Sequence, residues 1–219
     1  MSTDVSATEN EVARPSTPAA RVEHFSVEER VARGKAARAE VPRSAHAEWE
    51  PAPLRASPVE LLEEQAKSRV PELVPIRYGR MLVSPFTFYR GAALPMAADL
   101  ATTPSSGLRV QLCGDAHLAN FGGFASPERS LVFDLNDFDE TLPGPWEWDV
   151  KRLAASVILA SRNNGFSEAD ARDATLAGVR SYREHMAEYS EMRVLEVWYA
   201  SIDVESVIPT IQDEEARAR

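Results

Sequence analysis

The residues with the most chemical content lie between Cys113 and Asp149. They begin with Cys113-Gly114-Asp115-Ala116-His117-Leu118-Ala119-Asn120 and resume with Leu131-Val132-Phe133-Asp134-Leu135-Asn136-Asp137-Phe138-Asp139. Asp115 and Asn120 stand five positions apart, and Asp134 follows Asp115 by nineteen. A carboxylate can accept a hydroxyl proton, and carboxylate and amide oxygens are the hard ligands that Mg²⁺ takes while keeping several waters. Such a set suits phosphoryl transfer, where catalysis is mostly positioning and charge neutralisation. An Asp and an Asn alone also make an ordinary Asx-stabilised turn. The chemical reading gains from Gly114, His117, the apolar strands on either side and Asp134.

Charge is concentrated in the same place. Between Cys113 and Val150 there are eight acids and one base, Arg129, so this stretch carries −7 of the chain's net −10. That density repels nucleic-acid phosphates, so no nucleic-acid partner is expected, and it suits a divalent-cation site. Leu131-Val132-Phe133 runs through the acids, which argues against a wholly solvated acidic surface. Asp137, Asp139 and Glu140 divide between metal binding and turn duty, and Arg77, Arg80 and Arg90 between phosphate and the acids themselves. Pairing with the acids is the simpler role for the arginines. His117 reads as a loop-shaping residue, and Trp146 and Trp148 as packing anchors for the helix that follows.

The elements that must position these residues are legible in outline. Ser57-Pro58 begins a helix that should stop before Pro71. Leu94 to Leu100 reads as a short helix. Leu108–Cys113 and Ser130–Leu135 read as two strands of a hairpin, with Phe121-Gly122-Gly123-Phe124 as the turn. Apolar residues at Leu153, Ala154, Val157 and Ile158 mark a helix from Val150. Ser167 with Asp170 marks the start of another, whose stripe Ala174, Val179, Tyr182, Met186 and Tyr189 is expected in the core.

Residues 1–45 are expected to be a disordered tail with a transient helix across Ser26–Ala37, because they offer little apolar area. Residues 46–212 should form the domain and 213–219 a charged tail. No apolar run approaches the ~18 residues needed to span a bilayer, so no membrane is implied. The start carries no secretory pattern and Cys113 is the single cysteine, which excludes an internal disulfide framework and makes a cytoplasmic location the default.

From about Ser57 to Met192 the chain resembles the bacterial family of domain of unknown function 2252. The likeness rests on Pro71-Glu72-Leu73-Val74-Pro75-Ile76-Arg77-Tyr78-Gly79-Arg80-Met81, Ser84-Pro85-Phe86, Arg90-Gly91-Ala92-Ala93, the Gly114–Phe121 loop and Phe133–Lys151. The loop also resembles the G-D-x-H-x-x-N string of aminoglycoside phosphotransferases, choline kinases and their kinase-fold relatives. That likeness implies an α+β, protein-kinase-like catalytic lobe, mostly helical, with a small β-hairpin around the catalytic loop. It implies Asp115 as base and Asn120 with Asp134 as metal ligands, with Asp137 and Asp139 competing for the same role. It also implies Asp149 as the acid that braces the loop, Arg90 in support, and Mg²⁺ and ATP as cofactors. Cys113 stands where those enzymes usually carry His.

Two departures matter. No Gly-rich phosphate loop precedes the site, and the only lysines are Lys35, Lys67 and Lys151. Such kinases need a Gly-rich cover and a phosphate-binding Lys. The resemblance therefore implies a chain truncated at its C-terminal side, whose partner could be a separately encoded C-terminal half alongside an unidentified acceptor. The rival readings are a non-catalytic fragment or binding module, and a metal-dependent phosphoesterase built on Asp115-Ala116-His117. The phosphoesterase would need more His and Asp ligands than His24, His46 and His185 offer.

Overall fold

A computed structural model describes residues 25–207 of the chain. The described residues divide into two units, with the boundary between Ala36 and Ala37. Helix α1 (Val27–Glu40) starts at a reciprocal cap: Ser26 N–H donates to Glu29 Oε2 at 2.7 Å and Glu29 N–H to Ser26 Oγ at 3.2 Å. It buries none of its residues. Residues 1–24 of the expected tail, and the charged end 213–219, lie outside the described residues.

Four helices come next: α2 (Pro58–Ala66), α3 (Val74–Met81), α4 (Pro85–Arg90) and α5 (Ala93–Leu100). Proline starts three of them, its fixed φ and missing N–H costing nothing at a first helical turn. Ser84 caps α4 by accepting from Thr87 N–H at 3.2 Å. Leu62, Met81, Ala92 and Leu100 carry the apolar interior of this half.

Strand β1 (Arg109–Leu112) leads into the acidic stretch, followed by β2 (Phe121–Ala125), β3 (Leu131–Leu135) and β4 (Leu142–Pro145). The expected strands are present, but they do not pair with each other. β1 pairs antiparallel with β4, Arg109 opposite Pro145 and Leu112 opposite Leu142. β3 pairs instead with β2, so Phe121-Gly122-Gly123-Phe124 is strand and not turn. The turn lies at Ser126–Ser130, where Arg129 N–H bonds Ser126 O at 2.8 Å and Ser126 N–H bonds Ser130 O at 2.8 Å. Pro127 suits a turn's second position, and Arg129 takes the positive φ of 69° that ends it. A short β5 (Ile202–Asp203) adds to β3 and runs into α9 (Val204–Val207).

Helix α6 (Glu147–Asn163) runs beneath the loop, and α7 (Glu168–Glu191) packs antiparallel on it. Ser167 caps α7, Oγ accepting from Asp170 N–H at 3.1 Å. The stripe on α7 is not core. Ala171 is the one buried residue of α7, while Val179, Tyr182 and Met186 are exposed. Length accounts for the far end of the stripe, Met186 and Tyr189: 24 residues span about 36 Å against about 26 Å for the 17 of α6. Tyr182 stacks on Trp146 at 6.1 Å, at the start of α6, and α7 beyond that point outruns its partner. A short α8 (Val194–Tyr199) follows, with Leu195, Trp198 and Tyr199 exposed.

Candidate functional site

The loop leaves β1 through Gly114, whose φ of +84° suits a residue without a side chain. A Cβ there would overlap the carbonyl oxygen of Glu140, so the chain from β3 passes close over the loop. Asp149, in the first turn of α6, braces the same point. Its Oδ2 accepts from Cys113 N–H at 2.7 Å and its Oδ1 from Gly114 N–H at 3.1 Å. An acid in that turn also faces the positive end of the helix dipole.

Asp115 follows, 9% exposed, and its partner is Arg152. Arg152 is 2% exposed and lies one turn along α6 from Asp149, on the same face. Its Nε donates to Asp115 Oδ1 at 2.6 Å, and its Nη2 contacts the same oxygen. Nη2 also donates to the Tyr89 carbonyl at 3.0 Å, Tyr89 Oη returns a bond to the Arg152 carbonyl at 2.9 Å, and the guanidinium lies 4.6 Å from the Tyr89 ring centre. Burial pushes the Tyr89 phenol up to about 12. Arginine suits this place because its rigid fork serves a carboxylate and a carbonyl together.

His117 is buried, with Nε2 3.6 Å from Asp115 Oδ2. Burial lowers its pKa, Asp115 opposes this, and the charges of Arg152 and Arg90 add to the lowering. The neutral imidazole therefore dominates at neutral pH, with its Nδ1 buried and without a hydrogen-bond partner. Fully buried Ser156 of α6 accepts from Leu118 N–H at 2.8 Å and donates to Leu153 O at 2.7 Å, pinning the far side of the loop.

Asn120 closes the loop. Its Nδ2 donates to the Asp115 carbonyl at 3.0 Å, and its own carbonyl accepts from Asn136 N–H at 2.9 Å. That second bond extends the β2–β3 ladder to the loop, so the two acid-bearing segments move together. Among the described residues, Asn120 Oδ1 accepts no hydrogen bond.

The other acids lie nearby but less fixed. Asp134 sits opposite Gly122 in the ladder, is exposed, and accepts from Leu135 N–H at 2.7 Å. Asp137 Oδ1 accepts from Asp139 N–H at 3.1 Å, an Asx turn that presents both carboxylates to solvent. Glu140 is half-buried; burial raises its pKa, and Asp115, Asp137 and Asp139 raise it further. Burial also pushes the Cys113 thiol up to about 11, helped by Asp149 and then Asp134. Among the described residues no group of three or more His, Cys, Asp or Glu side chains is arranged to hold a metal ion. A cavity of about 290 Å³ lies beside the loop, with Leu100, Leu112, Trp148, Gly114, Glu140 and Arg152 in its wall.

Arg90 is exposed at the end of α4, close enough to act on His117 through space but hydrogen-bonded to no acid among the described residues. Sequence reasoning missed Arg152, Tyr89 and Ser156. A signal for Arg152 existed: an arginine three residues after Asp149, on the buried face that Ala160 continues.

Fold and site together define a mixed α+β protein, with two small antiparallel sheets among the described residues and its polar loop held over a helix by buried hydrogen bonds and an ion pair. The chain belongs to the family described as an uncharacterized protein conserved in bacteria (DUF2252), which matches residues 69–219. No curated protein and no solved structure matches the chain. No helix among the described residues is long and apolar enough to cross a membrane.

Proposed function

We propose that the Gly114–Asn120 loop is the catalytic loop of a kinase-like phosphotransferase, acting on the hydroxyl of an acceptor yet to be identified. The carrying observation is the division of labour in the Asp115 carboxylate. Arg152 engages Oδ1, while among the described residues Oδ2 has only His117, at 3.6 Å and outside hydrogen-bond range. One oxygen is thus anchored and the other is left to accept a substrate proton, the role a catalytic base must fill.

A cation fits the same donor set. Asn120 Oδ1 is unengaged, Asp134, Asp137 and Asp139 are exposed, and all are oxygen donors of the kind Mg²⁺ prefers. Three convergent acids are not required, since Mg²⁺ commonly binds through one or two carboxylates, substrate phosphates and water. When bound, such an ion would neutralise charge on a transferring phosphoryl group. The chain's own residues do the rest: Asp149 and Ser156 hold the loop backbone, Arg152 aims Asp115, and neutral His117 fills the space behind it.

ATP fits less well. Lys67 pairs with Glu64, and Lys151 donates to Thr103 at 3.2 Å with burial lowering its pKa, so neither is an open phosphate anchor. That observation favours a second reading, a non-catalytic binding module. Calorimetric titration of the full chain with ATP, with and without Mg²⁺, separates the two. The phosphotransferase reading expects Mg²⁺-dependent, sub-millimolar binding that Asn120→Ala weakens, and turnover that Asp115→Ala abolishes. Unchanged turnover in Asp115→Ala would remove the role given to Asp115, and no binding at all would leave the module.

A further inference from the structure

The cavity beside the loop has a wall that the mechanism does not use. Helix α5 contributes Ala97 and Leu100, the paired strands β1 and β4 contribute Leu112 and Leu142, and α6 contributes Trp148. Leu100 and Leu112 are buried, so this side is built as core and yet leaves a cavity of about 290 Å³. An apolar cavity of about 150 Å³ takes up benzene, so this one has room for a molecule about twice that size, roughly ten to twelve heavy atoms.

Among the described residues, those lining the cavity with charged or amide side chains are Gln65, Glu140 and Arg152. Arg152 is already engaged: Nε with Asp115 Oδ1 at 2.6 Å, Nη2 with the Tyr89 carbonyl at 3.0 Å and Nη1 with Met96 Sδ at 3.6 Å. Its charge is matched by Asp115 and leaves little for an anionic ligand. Gln65 and Glu140 are half-buried, and neither side chain forms a hydrogen bond or ion pair with another described residue. A ligand in the cavity therefore meets aliphatic and aromatic surface, one uncommitted amide and one uncommitted carboxylate. Glu140 repels negative charge, and a ligand charge without a partner is costly to bury against leucine. A hydroxyl suits both polar groups, because it donates to a carboxylate or to an amide oxygen.

Position connects the cavity to the loop. Gly114, directly before Asp115, lines it, and so does Arg152, which holds Asp115 Oδ1. The Glu140 carbonyl lies close over Gly114, so the polar edge of the cavity is also its edge nearest the loop.

We infer that the cavity binds an uncharged, largely apolar alcohol, its body against Leu100, Leu112 and Trp148 and its hydroxyl at the edge formed by Glu140 and Gly114. As the acceptor of a phosphoryl group this alcohol rests on the function proposed above; as a ligand it rests on the cavity alone.

The test is calorimetry of the full chain with phenylbutanol, phenylpropionate and glycerol, which differ in apolar bulk and in charge. Phenylbutanol should bind saturably with a dissociation constant of about a millimolar or below, the range open to a ligand of this size. Phenylpropionate and glycerol should bind at least about tenfold more weakly. Ala97→Phe, which fills the cavity from α5, should weaken phenylbutanol by about tenfold or more. Ala98→Phe, the same change at the exposed next position and outside the wall, should leave it unaltered. A second readout holds whether or not Ala97→Phe folds. Phenylbutanol should shift the tryptophan emission of the unsubstituted chain and of Trp198→Phe, exposed on α8, but not that of Trp148→Phe. No saturable phenylbutanol binding, equally tight phenylpropionate, binding that folded Ala97→Phe leaves within about twofold, or an emission shift that Trp148→Phe retains in full overturns the site. Cavity-dependent binding without any ATP turnover keeps the site and ends the phosphotransferase reading. ATP turnover without phenylbutanol binding does the reverse. Turnover that saturating phenylbutanol neither raises nor inhibits removes the acceptor role and leaves the ligand site.

Discussion

Removing Arg152 should be the most damaging single change around the loop. In Arg152→Met the chain length and much of the apolar stem are kept, so the cavity term is small. What is lost is the bond to Asp115 Oδ1 at 2.6 Å, the bond to the Tyr89 carbonyl at 3.0 Å and the cation over the Tyr89 ring. Breaking a buried pair from one side costs about 3–5 kcal/mol, because the remaining charge is stranded. The Asp115 side chain keeps 12% of its exposure, which lets water soften the penalty and sets the expectation at about 3 kcal/mol. Asp115→Asn strands the opposite charge at similar cost, and the double variant strands neither. A double-mutant cycle by urea unfolding, followed through tryptophan fluorescence, should give a coupling of about 1.5–3 kcal/mol. Costs that add to within about 0.5 kcal/mol would refute the claim that the pair acts as a unit.

Two further outcomes follow from single positions. Gly114→Ala combines a disfavoured positive φ with overlap on the Glu140 carbonyl, so it should cost about 2–4 kcal/mol, whereas Gly178→Ala, with open space around it in α7, should be neutral or slightly stabilising in the same melts. A loss for Gly114→Ala no larger than that of Gly178→Ala would mean that the loop is not closed by Glu140. Glu140 has its folded pKa raised, so its favourable contribution is complete below the ordinary glutamate range and is lost as pH rises through the folded pKa. Glu140→Gln should therefore raise the melting temperature at neutral pH, with the gain vanishing in acid; a gain independent of pH would assign the effect to packing and not to charge.

Much of the local structure could be read along the chain. Ser167-Glu168-Ala169-Asp170 announces its helix start, the proline of Ser57-Pro58 its own, and Leu131–Leu135 its strand, because caps and alternation act between residues a few positions apart. Gly114-Asp115 and Asn120 were identifiable as a candidate loop by type and spacing, and Asp149 as the acid beside it by resemblance. The strand pairing is not legible in the sequence, because adjacent glycines suit an edge or a close approach as well as a turn. At Gly122 the space of a side chain is taken by the Asn136 amide.

The amino-acid order alone determined where the acids, the glycines and the helix starts fall, and hence which few residues could do chemistry. Strand pairing and charge neutralisation were decided only in three dimensions. Whether Leu108–Cys113 meets Leu131–Leu135 or Leu142–Pro145 depends on which pairing buries Leu112, and alternation within one strand does not encode its neighbour. The partner of Asp115 lies 37 residues away on another element. Only folding brings the two charges out of water together, and that shared burial makes the contact strong.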